Sequence, residues 1–220
     1  MGQLVEAVLE GDDEAVDRLL ASDRRIADER DESGVSALML ALYRGQERNV
    51  AVIAEAKGWL DVFEAAAVGD PGKLELALKE DSDAIRAFSA DGFTALHFAA
   101  FFGRRLPANL LVLAGADVNA EARNLSRVRP IHSAVAGPDP MMAEILLAMG
   151  ADVNAQQEGG FTALHAAAKS GNTKLVDLLL RADADPRLPA ADGQTAADFA
   201  RAGGHGEIAA RLGGRGQGDG

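Results

Sequence analysis

Apolar residues along this chain come in short blocks at helical spacing, each closed by glycine. In Thr162-Ala-Leu-His-Ala-Ala-Ala-Lys-Ser-Gly171, the residues Leu164, Ala167 and Ala168 fall on one face of a helix. Thr162 is a good N-cap, and Gly171 is a good stop just past the end. The small alanines let a neighbouring helix approach closely. A second apolar block follows at once, opening at Asn172, again an N-cap type, and running through Leu178-Leu179-Leu180. Equivalent second helices open at Asp12, Asp70 and Asp139, with Pro71 and Pro140 at the first helical position, where proline is tolerated. Gly115 and Gly150 are placed to stop such helices in a left-handed conformation. The pattern predicts pairs of helices joined by tight turns.

The pairs recur. Gly92-Phe-Thr-Ala-Leu-His-Phe-Ala-Ala-Phe-Phe-Gly103, Gly160-Phe-Thr-Ala-Leu-His-Ala-Ala-Ala-Lys-Ser-Gly171 and Gly34-Val-Ser-Ala-Leu-Met-Leu-Ala-Leu-Tyr-Arg-Gly45 are three spellings of one phrase. Its apolar landmark falls at Leu4, Leu38, Val62, Leu96, Ile131, Leu164 and Ala197, giving spacings of 34, 24, 34, 35, 33 and 33. All but the second match the period of ankyrin repeats, whose first-helix signature this phrase follows. The closing Gly115-Ala-Asp-Val-Asn-Ala120 and Gly150-Ala-Asp-Val-Asn-Ala155 complete the match. The chain resembles the ankyrin-repeat family over roughly residues 3–212.

The resemblance implies an all-α ankyrin-type α-solenoid of stacked helix pairs with short β-hairpin fingers. It implies one domain over 1–212, with repeats near 3–31, 32–58, 59–88, 89–120, 121–155, 156–188 and 189–212. A Gly-rich tail, 213–220, is expected to be disordered because it cannot offset its ordering entropy. One repeat cannot bury its apolar face alone, so stability must come from stacking. The charged first repeat (Glu10, Asp12, Asp13, Glu14) and the Ala-rich last one read as water-facing lids.

Departures from the pattern carry expectations of their own. Lys57-Gly58-Trp59 spans the short junction with no room for a finger, so two directly linked helices are expected there. Trp59 reads as a space-filling core or boundary residue. Pro107 suggests that its helix begins late, and the turn Gly137-Pro-Asp-Pro140 must differ from its neighbours. Asp183 stands where a terminating glycine is expected.

A net charge of −12 argues against nucleic acid as a partner and suits a partly basic protein. Arg123, Arg127 and Arg129 form the one notable basic group, read as a solvated finger. The absence of cysteine removes disulfides and thiolate chemistry, and fits a cytoplasmic location. The start Met1-Gly-Gln-Leu lacks the features of a signal peptide, and no apolar run approaches a membrane span. No membrane partner and no cofactor are indicated, and a monomer is expected.

His97, His132 and His165 occupy one slot, three residues after the helix cap. Equivalent side chains on helices roughly 8–10 Å apart run in a row, whereas zinc ligands converge at about 2 Å. The resemblance implies instead that each ring hydrogen-bonds within its turn and finger. Paired carboxylates such as Asp12-Asp13 sit at helix starts, where they cap amides. No phosphate loop or nucleophile elbow is present, so a non-enzymatic module is expected.

Ankyrin-like repeats imply two sets of concave-face positions: the residue before the cap and the two before the turn glycine. Of the few aromatic residues, Tyr43, Phe93, Phe101, Phe102 and Phe161 all fall on these positions, with Arg44 and Lys169 flanking. Two or three exposed rings would match the largest apolar patch of a typical monomer, about 300–600 Å². These seven residues are the expected anchors for a protein or peptide partner. Phe93 and Phe161 could alternatively fold over the finger bases and pack. A self-associating structural module is a second reading, and an enzyme or small-molecule binder a third, which would require convergent polar groups in a pocket.

Overall fold

A computed structural model describes residues 2–214. Fourteen α-helices follow one another among these residues: α1 (Gln3–Glu10), α2 (Asp13–Ser22), α3 (Ala37–Tyr43), α4 (Glu47–Lys57), α5 (Val62–Val68), α6 (Pro71–Glu80), α7 (Ala95–Phe101), α8 (Arg105–Leu113), α9 (Pro130–Ala136), α10 (Pro140–Ala148), α11 (Ala163–Lys169), α12 (Thr173–Arg181), α13 (Ala196–Ala202) and α14 (Gly206–Gly214). They belong to two compact units. The first holds the chain up to Ala99 together with Leu106–Ala116, and the second holds Ala100–Arg105 and the chain from Asp117 onward.

Each first helix is only seven or eight residues long, too short to persist alone, since isolated helices below ~12–15 residues are marginal in water. Caps and packing hold them. Asp12, Asp70 and Asn172 each accept a backbone N–H three residues on, at 2.9, 3.0 and 3.1 Å, and so open the second helices as the sequence predicts. Gly115 and Gly150 close α8 and α10 at φ +99° and +92°, a conformation open to glycine without a Cβ penalty.

In the first unit the core is built from Leu4, Leu38, Ile53, Leu60, Leu74, Leu96 and Leu111, all essentially inaccessible. In the second it is built from Ile131, Met142, Leu146, Leu164 and Leu179. Burying one such side chain contributes about 1.5–3 kcal/mol. The first helices carry buried alanines on their inner faces: Ala37, Ala41, Ala65 and Ala99 in one unit, Ala163, Ala167, Ala196 and Ala200 in the other. In the second unit two asparagines of the closing phrase also tie repeat to repeat. Asn119 donates to Gly150 O (3.0 Å) and accepts from Asp152 N (2.8 Å). Asn154 does the same with Asp183 O (3.2 Å) and Asp185 N (2.8 Å). Each side-chain amide thus satisfies main-chain groups that would otherwise face solvent at a helix end.

Several expectations are corrected. Among the described residues the fingers are tight hairpin turns without a strand ladder; Asp31 N–H donates to Val35 O and Ser89 N–H to Phe93 O, both at 2.9 Å. One isolated antiparallel bridge, Arg30 to Ser36, is the extent of β pairing, and the turns rest on short side-chain bonds such as Asp31 Oδ1 to the N–H groups of Ser33 and Val35 (both 2.9 Å). The flanks are too short to build a ladder. First helices start at Ala37, Val62 and Ala95, so the short spacing measured at the caps is 25, one more than the landmark gives. Helix α8 begins before Pro107, which sits at its third position, where the missing N–H is one of the four that lack an intrahelical partner anyway. Of the two expectations for Trp59, core or boundary, its 50 % exposure fits the second. Gly213 and Gly214 close α14, and the remainder of the expected tail lies outside the described residues. Asp183 takes the left-handed conformation itself, at φ +64°.

Candidate functional site

The third position of each first helix decides what the histidines can do. Thr162 N–H donates to His165 Nδ1 at 3.1 Å, and Arg129 N–H donates to His132 Nδ1 at 3.0 Å. Since Nδ1 accepts, Nε2 carries the proton in the neutral ring. Nε2 then donates forward to the following finger, to Ala155 O from His132 (3.0 Å) and to Gln194 O from His165 (3.3 Å). Thr94 N–H donates to His97 Nδ1 in the same way, at 3.2 Å. Burial pushes His132 and His165 below the ordinary imidazole value. These rings are fixed, neutral and occupied. Among the described residues no cluster of three acidic or histidine side chains is placed to hold a metal ion.

Where no described finger follows, the slot changes its chemistry. Helix α4 runs into α5 through four residues with no finger, and the slot of α3 holds Met39, whose N–H is capped by Ser36 Oγ at 3.3 Å. The next slot reaches backward instead. Glu64 Oε1 accepts from Ser36 Oγ at 2.6 Å and lies 3.3 Å from Lys57 Nζ, with 2 % and 4 % of the two charged side chains exposed. Lys57 also donates to Asp28 at 2.6 Å. Burial raises the Glu64 carboxyl, Asp61 adds to the rise, and Lys57 opposes it. In the last described pair, Asp198 accepts from Thr195 N–H (2.9 Å) and Oγ1 (2.8 Å), which helps hold it down at about 2.

The expected anchor residues fall into separate groups. In the first unit Tyr43 and Phe93 pack on the buried ring of Phe98, with centroids 6.4 and 5.7 Å away, and Phe63 closes the cluster edge-on at 6.2 Å. Phe93 is half-buried, whereas Tyr43 keeps 42 % of its surface and donates its hydroxyl to Asp91. Burial and that carboxylate push the Tyr43 phenol up. Arg44 is exposed beside it. In the second unit Phe101 and Phe102 meet edge to face at 5.1 Å, Phe101 being 39 % exposed and Phe102 half-buried. Phe161 is half-buried against Phe199 (5.4 Å) and His165 (6.1 Å), and Lys169 is exposed on α11. Phe93 and Phe161 therefore follow the packing alternative in part.

Two clefts open beside these groups. One in the first unit, about 200 Å³, is lined by Met39, Phe63, Phe98 and the polar Arg30, Asp61 and Glu64 among others. One in the second unit, about 330 Å³, is lined by His132, Gln157, Phe161, His165, Lys169 and Phe199, with small residues between. Sequence reasoning missed Phe63, Phe98 and Phe199. The signal lay in the position after the histidine slot, where Phe98 and Phe199 stand in α7 and α13 and Ala166 stands in α11. In the basic finger Arg127 lies 2.7 Å from Glu121 and Arg129 lies 3.4 Å from Asp152, so each guanidinium is paired with a carboxylate.

The profile of a family described as ankyrin repeats (3 copies) matches residues 4–122 and 131–217. The chain is 38% identical over 127 residues to the nuclear factor NF-kappa-B p105 subunit of Gallus gallus, which covers 56% of this chain and 13% of that protein. It is 40% identical over 97 residues to the human ARF GTPase-activating protein GIT1 (44% of this chain, 12% of that protein). It is 41% identical over 98 residues to a mouse B-cell lymphoma 3 protein homolog (44% of this chain, 22% of that protein). The matched region is a minor part of each of these longer proteins. No helix among the described residues is long and apolar enough to cross a membrane.

Proposed function

Because the chain belongs to the ankyrin-repeat family, we propose that it is a non-catalytic module that binds a protein or peptide partner on the face of its first helices and finger bases. One observation supports this most. The polar groups at the helix starts are consumed in capping, while the far ends of the same helices present Tyr43-Arg44, Phe101 and Lys169 to solvent. Chemistry would need titratable groups gathered in a cleft with an atom left free to reach a substrate. Aromatic side chains with cations beside them are what interface hot spots are made of. The net charge of −12 favours approach by a partly basic partner. The GTPase-activating role in the name of one relative belongs to a protein of which the match covers 12%.

The test is capture from a native extract with the wild-type chain and with a Phe101→Ala/Phe102→Ala variant. Loss of a captured protein with an unchanged melting temperature supports the reading. Unchanged capture with a large loss of stability assigns both rings to packing. Sizing at several concentrations separates a monomer awaiting a partner from a chain that pairs with itself.

A further inference from the structure

We propose that the cleft of the second unit receives a large apolar side chain lying next to a carboxylate on a partner polypeptide; this rests on the protein-binding reading above. The cleft is ring-lined. Phe161 and Phe199 meet edge to face at 5.4 Å, and His165 meets the two at 6.1 and 5.5 Å. The histidines add no polar character, because both nitrogens of His132 and of His165 are already bonded to main-chain groups. Room exists because Ala166 stands where α7 and α13 carry phenylalanine, and Ala136 and Ala163 line the rest. At about 330 Å³ the space is at the lower end for a ligand pocket, roughly 300–1,000 Å³, and suits one side chain with its neighbours rather than an extended cofactor.

Charge then selects the neighbour. Lys169 is the one charged residue of the lining, and no carboxylate lines the cleft among the described residues. Lys169 lies three residues after Ala166 on α11, so both face the same side. It forms no ion pair with any described residue, unlike Arg187, Arg201 and Arg211 in the same unit. Gln157 offers an amide at the same mouth. A carboxylate set beside the inserted apolar group meets this ammonium at the edge of an apolar basin, where water screens it less than in the open. The overall negative charge acts at long range, while this contact acts at short range.

The test selects a phage-displayed library of random peptides on the full chain, then measures the enriched peptides against variants. The expected sequences place Phe, Trp, Leu or Ile next to, or one removed from, Asp, Glu or a free C-terminal carboxylate. Lys169→Glu should weaken them about tenfold or more, Lys169→Arg should retain them, and Ala166→Trp, which fills the cleft from an exposed position, should abolish binding with the fold intact. Enriched peptides lacking a carboxylate, or indifferent to Ala166→Trp and Lys169→Glu, overturn the inference. If those peptides are instead lost with Phe101→Ala/Phe102→Ala, the wider reading survives without it. Absence of any enriched sequence removes both the inference and the peptide half of that reading.

Discussion

Replacing Gly137 by alanine separates close approach from backbone conformation. Gly137 has φ −80° and ψ 174°, a region any residue adopts, so torsional strain does not explain the glycine. A Cβ there would lie 2.4 Å from Phe101 O and 3.2 Å from Ala100 O, both main-chain atoms at the end of α7. Neither can swing aside like a side chain, so the turn and the helix end must part by nearly an ångström. Overpacking of this kind costs about 1–3 kcal/mol. Alanine also narrows the unfolded ensemble, which returns about 0.4–1 kcal/mol. The net loss is about 0–2.6 kcal/mol, or a fall of up to roughly 10 °C in melting temperature at ~2–4 °C per kcal/mol for a chain of this size. Gly203 repeats the geometry, its Cβ falling 2.6 Å from Lys169 O, so Gly203→Ala should behave alike. Gly206, at the first position of α14 with nothing within 4 Å, is the control, and Gly206→Ala should be neutral or stabilising. Far-UV circular dichroism on heating reads all three. If Gly137→Ala and Gly203→Ala melt with the control, the close approach of neighbouring first helices is wrong.

Three further outcomes follow from the geometry. Lys57→Met leaves the Glu64 charge buried without its partner and should cost about 3–5 kcal/mol in urea unfolding, with much of the loss recovered in Lys57→Met/Glu64→Gln. Asp183→Gly should gain up to ~1 kcal/mol, because relief of a left-handed Asp outweighs the extra freedom of glycine when unfolded; a loss of stability would contradict this. His132 and His165 are neutral in the fold and depressed by burial, so the stability they carry is complete above about pH 6.5, the unfolded value, and is lost as pH falls through their folded values. NMR titration of the two rings locates those values, and a midpoint at or above the unfolded one would refute their burial.

Most of the fold is legible in residues whose role is local. Asp12, Asp70, Asp139 and Asn172 cap because their oxygens reach amides two or three places on, and Gly115 and Gly150 turn left because nothing forbids it. The histidine slot was readable through the family resemblance: its cap partner sits three residues back in each case, while its finger partner lies 23 residues on for His132 and 29 for His165. What escaped depends on distant neighbours. Pro107 reads as a late start until its place among the unpaired donors is known. Trp59 reads as core or boundary on average burial, and the four-residue junction leaves it half exposed. For the candidate site, the positions of Tyr43 and Phe101 were legible as surface, but their grouping was not, since Phe98 and Phe199 lie outside the positions that the repeat marks as concave.

The slot that holds His132 and His165 fastens one repeat to the next through carbonyl oxygens, atoms that every amino acid supplies. At the fingerless junction the same fastening depends on Ser36, Lys57 and Glu64, three side chains that must be inherited together. Drift in sequence can therefore loosen this seam with one codon, while the carbonyl partners of His132 and His165 are beyond the reach of mutation. The short junction is thus held by a keyed latch where those two histidines use a generic one.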